Sequence, residues 1–188
     1  MMLAHFHGQT FNASEIGRSL QVSDTTVARY LDIHAGTFMV RTLRPWFENI
    51  GKRQVKRPKI FIRDSGLLHA LMGIASRDDL LVHARLGASW EGFALEQVMT
   101  VLGLDADAAH CWGVHQQCDL DLFVIHHGRR IGFEIKYTEA PAVSSSMRAA
   151  CEALSLDRLV IVSPGRMMYP LGDRIEACGI ERLGELPL

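Results

Sequence analysis

The segment DLDLFVIHHGRRIGFEIKY, residues 119–137, carries Asp119 and Asp121 in one alternating run and Glu134 and Lys136 in a second, on either side of a His127-Gly128 tip. A two-residue turn at that tip would pair His126 with Arg129. Leu122 then falls opposite Phe133, Leu120 opposite Ile135, Asp121 opposite Glu134, and Asp119 opposite Lys136. Side chains alternate across a strand. Leu120, Leu122, Phe133, Ile135 and Tyr137 are therefore expected on one face, and Asp119, Asp121, Glu134 and Lys136 on the other. Opposed Cβ atoms lie about 4.5–5.5 Å apart, so Asp121 and Glu134 repel unless a cation sits between them. Mg2+, or Mn2+ in its place, takes oxygen ligands, commonly one or two carboxylates with waters and a phosphate. There it polarises a scissile phosphate and lowers the pKa of an attacking water. Lys136 is suited to orienting that water or stabilising developing negative charge. Asp121, Glu134 and Lys136 are thus candidate catalytic residues for phosphodiester hydrolysis. The plainer alternative is a solvated face of mixed charge, in which Lys136 pairs with Asp119.

The flanking elements decide whether such a hairpin sits in a sheet. SWEGFALEQVMTVLG repeats Trp90, Phe93, Ala94, Val98 and Val101 at helical spacing. AAHCWGVHQQ, DLDLFVIHH and RRIGFEIKYTE read as strands. SSSMRAACEALSL reads as a serine-capped helix with Met147, Cys151 and Leu154 on one face, and RLVIVSP as a buried strand. The order α-β-β-β-α-β predicts an α/β unit with a mixed central sheet. Just before it, RDSGLLHALMGI predicts a helix capped by Asp64 or Ser65, with Leu67, Leu68 and Leu71 inward and Gly73 at its close. Asp64 is read there as a cap before a catalytic acid.

The N-terminal third has a different pattern. NASEIGRSLQV predicts a helix with Asn12 and Glu15 as a capping box and Ile16 and Leu20 on one face. Ser23 caps a second helix, SDTTVARYLDIHAG, with Val27, Tyr30 and Leu31 as its apolar stripe and Gly36 at its end. Two helices joined by a short turn make a helix-turn-helix. GTFMVRTLRPW and RPKIFIRD follow as β segments, with Phe38, Val40, Ile60 and Ile62 alternating around the basic NIGKRQVKR, in the manner of a wing. Residues 1–63 are read as a winged helix-turn-helix and residues 64–188 as the second domain. Thr25, Thr26 and Arg29 are placed to face a DNA groove, and Arg53, Lys56 and Arg57 to meet phosphates. Winged helices also serve as protein-interaction modules, since fold does not fix function. NIGKRQ is not a phosphate-binding loop, which needs G-x-x-x-x-G-K-[ST], so ATP hydrolysis is not expected from this chain.

Charge follows the same division. Residues 1–63 hold ten Lys/Arg against four Asp/Glu, a net of +6, and residues 64–188 hold ten against seventeen, a net of −7. A basic stretch is suited to nucleic acid, where phosphate neutralisation supplies much of the affinity. No apolar run approaches the ~18 residues of a membrane span, and MMLAHFHGQTF lacks the features of a secretory leader. Cys111, Cys118, Cys151 and Cys178 form no C-x-x-C pair. A cytoplasmic protein is expected. His110, Cys111, His115 and Cys118 cluster, but their spacing matches no zinc pattern, and strand cysteines usually act as small buried apolar groups.

D-(x)n-E-x-K on adjacent strands within α-β-β-β-α-β resembles the PD-(D/E)XK nuclease superfamily, which has a restriction-endonuclease-like fold. Asp121, Glu134 and Lys136 match its motif residue by residue, although no proline precedes Asp121. The resemblance implies a metal held by Glu91, in SWEGF, together with Asp121 and Glu134. More of the chain is covered by a second likeness. TVARYLDI, LRPWFENIGKRQVKRPKIFIRDSGLLHALMGI, GASWEGFALEQV, RRIGFEIKYTEAP and SMRAACEALSLDRLVIVSPG resemble the C-terminal region of bacterial AAA-type ATPases. There a winged helix and domain of unknown function 4143, nuclease-like in fold, follow the ATPase module. This sequence has no such module. The resemblance implies a nuclease-like, Mg-dependent DNA-processing domain, with DNA and an ATPase module or other protein as partners. The alternatives are a non-catalytic DNA- or protein-interaction module with a vestigial site, and a transcription regulator that uses the winged helix alone.

Overall fold

A computed structural model describes residues 2–46, 57–113 and 119–187. The chain is mixed α/β and divides into two units. One comprises Met1–Leu43 and Arg57–Phe93, the other Arg44–Lys56 and Ala94–Leu188. The segment from residue 64 to Phe93 therefore belongs to the first of these.

In the first unit, α1 (Met2–His5) and β1 (Gln9–Thr10) precede α2 (Ala13–Leu20) and α3 (Asp24–Gly36); β2 (Val40–Pro45), β3 (Lys59–Ile62), α4 (Ser65–Leu71) and α5 (Arg77–Val82) follow. β3 pairs antiparallel with both β1 and β2. The Ser23 hydroxyl accepts from Thr26 N and opens α3, and the Asp64 carboxylate accepts from Leu67 N and opens α4, as its reading as a cap requires. Asn12 stands at the N-cap of α2 but makes no capping bond, so the expected capping box does not form. Phe11, Ile16, Val27, Leu31, Val40 and Ile60 make the core. Tyr30 is not part of it: it is 61% exposed, because Val27 and Leu31, four apart, fix the stripe and leave Tyr30 on its flank. Leu20, too, is exposed. Phe38 precedes the strand, in a turn with φ of 60°. It is 75% exposed, with the Arg63 guanidinium 5.6 Å from its ring centroid.

The second unit takes the end of α6 (Leu86–Val101), then β4 (Ala109–Trp112), β5 (Leu120–His126), β6 (Arg129–Ile135), α7 (Ser145–Ala153), β7 (Arg158–Ser163), β8 (Met168–Pro170) and β9 (Ile175–Gly179). The expected order is present, extended by β8 and β9, which the sequence reading did not contain. Arg44–Pro45 pair parallel with β4. β4, β5 and β6 are antiparallel neighbours. β6, β7 and β9 run parallel, and β8 closes antiparallel on β9. The sheet is therefore mixed. Ser144 caps α7 by accepting from Met147 N. Met147, Ala150 and Leu154 then pack with Phe123, Leu159 and Ile161. On α6 the buried apolar side chains are Ala94, Leu95, Val98 and Met99, with Ser89 and Gly92 also buried, whereas Phe93 and Val101 are exposed; the inward stripe is rotated from the one expected. No described helix is long and apolar enough to cross a membrane.

Candidate functional site

The β5–β6 hairpin fixes the positions of the candidate residues. His127 and Gly128 both have positive φ, 49° and 78°, as a two-residue type I′ turn demands. That turn sets the expected register: His126 pairs with Arg129, Val124 with Ile131, and Leu122 with Phe133.

The ladder stops at Leu122–Phe133, and the main-chain pairing expected to continue to Asp121–Glu134 and Asp119–Lys136 is absent. Instead the Asp121 carboxylate accepts from Ile135 N through Oδ2 at 2.9 Å. Along β6 successive N–H groups point to opposite neighbours. Lys136 N donates to Val162 O on β7 at 3.0 Å, so Ile135 N points toward β5, where a side-chain oxygen replaces the missing carbonyl. The acid thereby satisfies a buried donor that strand separation would otherwise strand.

Glu134, the residue before Ile135, keeps its place beside Ile161 on β7. Lys136 Nζ lies 2.6 Å from Glu134 Oε1. Asp121 is 9% exposed and Glu134 5%, while the Lys136 side chain is 47% exposed. The three residues thus gather where β5 and β6 part, at the carboxyl end of the parallel strands, the usual ligand position in α/β sheets. The ammonium at 2.6 Å compensates part of the cost of removing the Glu134 carboxylate from water.

The faces do not sort as expected into apolar and acidic. Leu122, Val124, Ile131 and Phe133 are buried, and so is Phe123, on the opposite side. Leu120 packs in the α7 cluster with Phe123. It approaches Gly132, where an added Cβ would lie 3.1 Å from Leu120 Cδ2 and 2.7 Å from Leu156 Cδ1. Leu120 therefore shares Gly132's face rather than lying opposite it. The cause is a register shift between His110 and Trp112 on β4, which breaks the alternation that the pleat predicts. The acids are the end of a strand buried on both faces, not a solvated stripe.

Glu91 lies in the first unit, where its Oε1 is 2.8 Å from Lys59 Nζ. Thr25 and Thr26 each place Oγ1 2.8 Å from the capping hydroxyl of Ser23. Thr25, Arg29 and Arg57 are exposed and Thr26 is half-buried. Arg53 and Lys56 lie outside the described residues, as do His115 and Cys118. Cys111 is buried. Among the described residues no group of three or more His, Cys, Asp or Glu side chains is arranged to hold a metal ion. The donor set of the hairpin is two carboxylates. Sequence reasoning also passed over Ser163, buried at the end of β7 and paired with Gly179 on β9; without β9 in view, SPG read only as a strand end.

Residues 86–183, just over half of the chain, match the family described as Domain of unknown function (DUF4143), and the chain belongs to that family. Residues 1–78 match a second model, Domain of unknown function (DUF8612). Uncharacterized protein Rv2008c of Mycobacterium tuberculosis and Uncharacterized protein Mb2031c of Mycobacterium bovis are each 50% identical over 182 residues. The match takes in 97% of this chain and 41% of each relative, so the chain spans about two-fifths of their length. No solved structure matches.

Proposed function

We propose that the second unit is a nuclease-like phosphodiesterase, dependent on Mg2+ or Mn2+, that processes DNA in the cytoplasm as part of an AAA-type ATPase-related protein. The observation that carries this reading is the placement of Asp121, Glu134 and Lys136 at one point of strand separation, with Asp121 Oδ2 on the amide that follows Glu134. Two buried carboxylates suit Mg2+, which commonly takes one or two from the protein and completes its shell with water and phosphate oxygens. Asp121 and Glu134 would hold it. The ion would supply Lewis acidity at the scissile phosphate. Lys136 then reaches from Glu134 toward the attacking water or the phosphoryl oxygens, where its positive charge favours developing negative charge. The run α6-β4-β5-β6-α7-β7 supports a restriction-endonuclease-like arrangement. In the first unit, α2, α3 and the three antiparallel strands support a winged helix.

The test is incubation of the chain with linear and supercoiled DNA, with and without Mg2+ or Mn2+, beside a Glu134→Ala, Lys136→Ala double variant. Metal-dependent cleavage that the variant lacks is the expected result. Equal behaviour of the two proteins would remove catalysis.

A second reading, an interaction module, is favoured by one observation in the first unit. An apolar groove of about 470 Å3 is lined by Leu3, Leu20, Val22, Tyr30, Met39 and Leu71 among others, several of them exposed. A partner presenting apolar side chains would fit it, and the additional chain of the longer relatives is the partner this reading takes. The polypeptide of the Mycobacterium tuberculosis relative outside the 182 matched residues should bind this chain, and Leu20→Asp should abolish binding. No binding would end this reading.

A further inference from the structure

At the other end of the second unit's sheet, away from the carboxylates, a pocket of about 430 Å3 opens between the starts of β6, β7 and β9. That volume lies in the range of small-molecule sites. Its walls hold three guanidinium groups, from Arg129, Arg158 and Arg174. Arg158 is locked: Nη2 donates to Glu176 Oε2 at 2.7 Å, and Nε contacts Oε1 of the same carboxylate. From that fixed position Arg158 Nη1 reaches the Pro187 carbonyl at 3.1 Å. Arg129 Nη1 reaches the same oxygen at 3.3 Å. Two cationic forks from neighbouring strands thus converge on one neutral oxygen. Arg174 spends one N–H on Leu156 O at 3.4 Å. Neither Arg129 nor Arg174 has a carboxylate ion-pair partner among the described residues.

The pocket's acids are otherwise engaged or peripheral. Glu176 holds Arg158, Asp157 accepts from Arg130 N at 2.7 Å, and Asp173 is exposed. Convergence of three guanidinium groups is unexpected in a region whose net charge is −7, and a carbonyl oxygen is a weak acceptor for two of them. A planar carboxylate is satisfied by one guanidinium fork, whereas a phosphate monoester presents three charged oxygens in three directions. We propose that this pocket binds a phosphate monoester, with Arg129 and Arg158 exchanging the Pro187 carbonyl for phosphate oxygens and Arg174 closing from the β9 side. The proposal is independent of the nuclease reading.

Calorimetric titration of the full chain tests it with three probes: inorganic phosphate, a 5′-mononucleotide, and an oligonucleotide lacking terminal phosphates. Saturable binding of the first two and markedly weaker binding of the third is expected. An Arg129→Ala, Arg174→Ala double variant should lose at least about tenfold in affinity, since each removes charged hydrogen bonds. Its thermal midpoint should fall only slightly, because both arginines are exposed and each gives the fold one long bond to a carbonyl oxygen. Asp173→Asn should bind more tightly. Glu134→Ala with Lys136→Ala should bind as the wild type does, which separates this site from the nuclease reading. Absence of saturable binding by phosphate and the mononucleotide would overturn the proposal, as would undiminished affinity in the double variant. Equal affinity for the oligonucleotide would overturn the monoester assignment in favour of a phosphodiester.

Discussion

Asp121 has two tasks that substitution can separate. Its Oδ2 holds Ile135 N where the β5–β6 ladder has ended, and in the proposed function the same carboxylate's charge also serves a cation. Removing the carboxylate leaves a buried N–H without its acceptor, which costs about 1–3 kcal/mol. Asp121→Ala should therefore lower the unfolding free energy measured in urea by that amount and, in the proposed function, abolish metal-dependent cleavage. Asp121→Asn keeps an acceptor oxygen, so most of the stability should return while cleavage stays lost. If the asparagine variant were as unstable as the alanine variant, the bond to Ile135 would not be what Asp121 supplies. Lys136 differs in kind: half-exposed and on a long stem, it pairs with Glu134 through its side chain, outside the main-chain ladder.

Among the elements, α7 shows how a short helix depends on its first residue. The Ser144 hydroxyl takes Met147 N, and Met147 begins the face that lies against Phe123, Leu159 and Ile161. Ser144→Ala should cost about 1 kcal/mol, the usual loss for a capping hydroxyl, and Ser144→Asp should recover it; chemical unfolding of the three proteins reads both. A destabilised aspartate variant would mean the hydroxyl acts through its neighbours and not through the cap. The serine cap, the hairpin and the apolar run of β7 were legible because each is local: a cap, a His-Gly tip and a continuous buried stretch state themselves within a few residues. The register of Leu122 with Phe133 followed from turn length alone. The end of that ladder did not, because it depends on an irregularity in the pairing with β4 that the hairpin's own alternation does not encode. β9 was obscured for a related reason. IEACG is short, with alanine and glycine where a strand normally shows large side chains, and it is specified by its parallel partner β7. The rotated face of α6 likewise reflects tertiary packing that periodicity alone underdetermines.

For the whole molecule, one buried ring contributes to the dependence of stability on pH. His7 Nδ1 accepts from Ile62 N at 3.0 Å, which leaves the proton on Nε2, 3.0 Å from Ala88 O. Burial is the main reason its pKa falls from 6.5 to about 4. Between those values the unfolded chain binds the proton and the folded chain does not. The stabilisation is complete above pH 6.5 and is lost progressively as the pH falls to about 4, to a total of about 3 kcal/mol. Unfolding free energies at a series of pH values should show this decline, and His7→Gln, which has no proton to take up, should flatten it. An equal slope in both proteins would assign the acid sensitivity elsewhere. The relatives continue well beyond the 41% of their length that this chain matches.

The two-residue turn at His127-Gly128 has a kinetic meaning. Pairing across so short a loop carries little closure entropy, and hairpins form in about 1–10 μs. β5 and β6 are thus suited to an early place in the folding nucleus, ahead of the parallel partnership with β7, whose closure spans the whole of α7. Asp121 and Glu134 would then come together while the rest of the sheet is still assembling, and mutations at the turn should slow folding more than they speed unfolding.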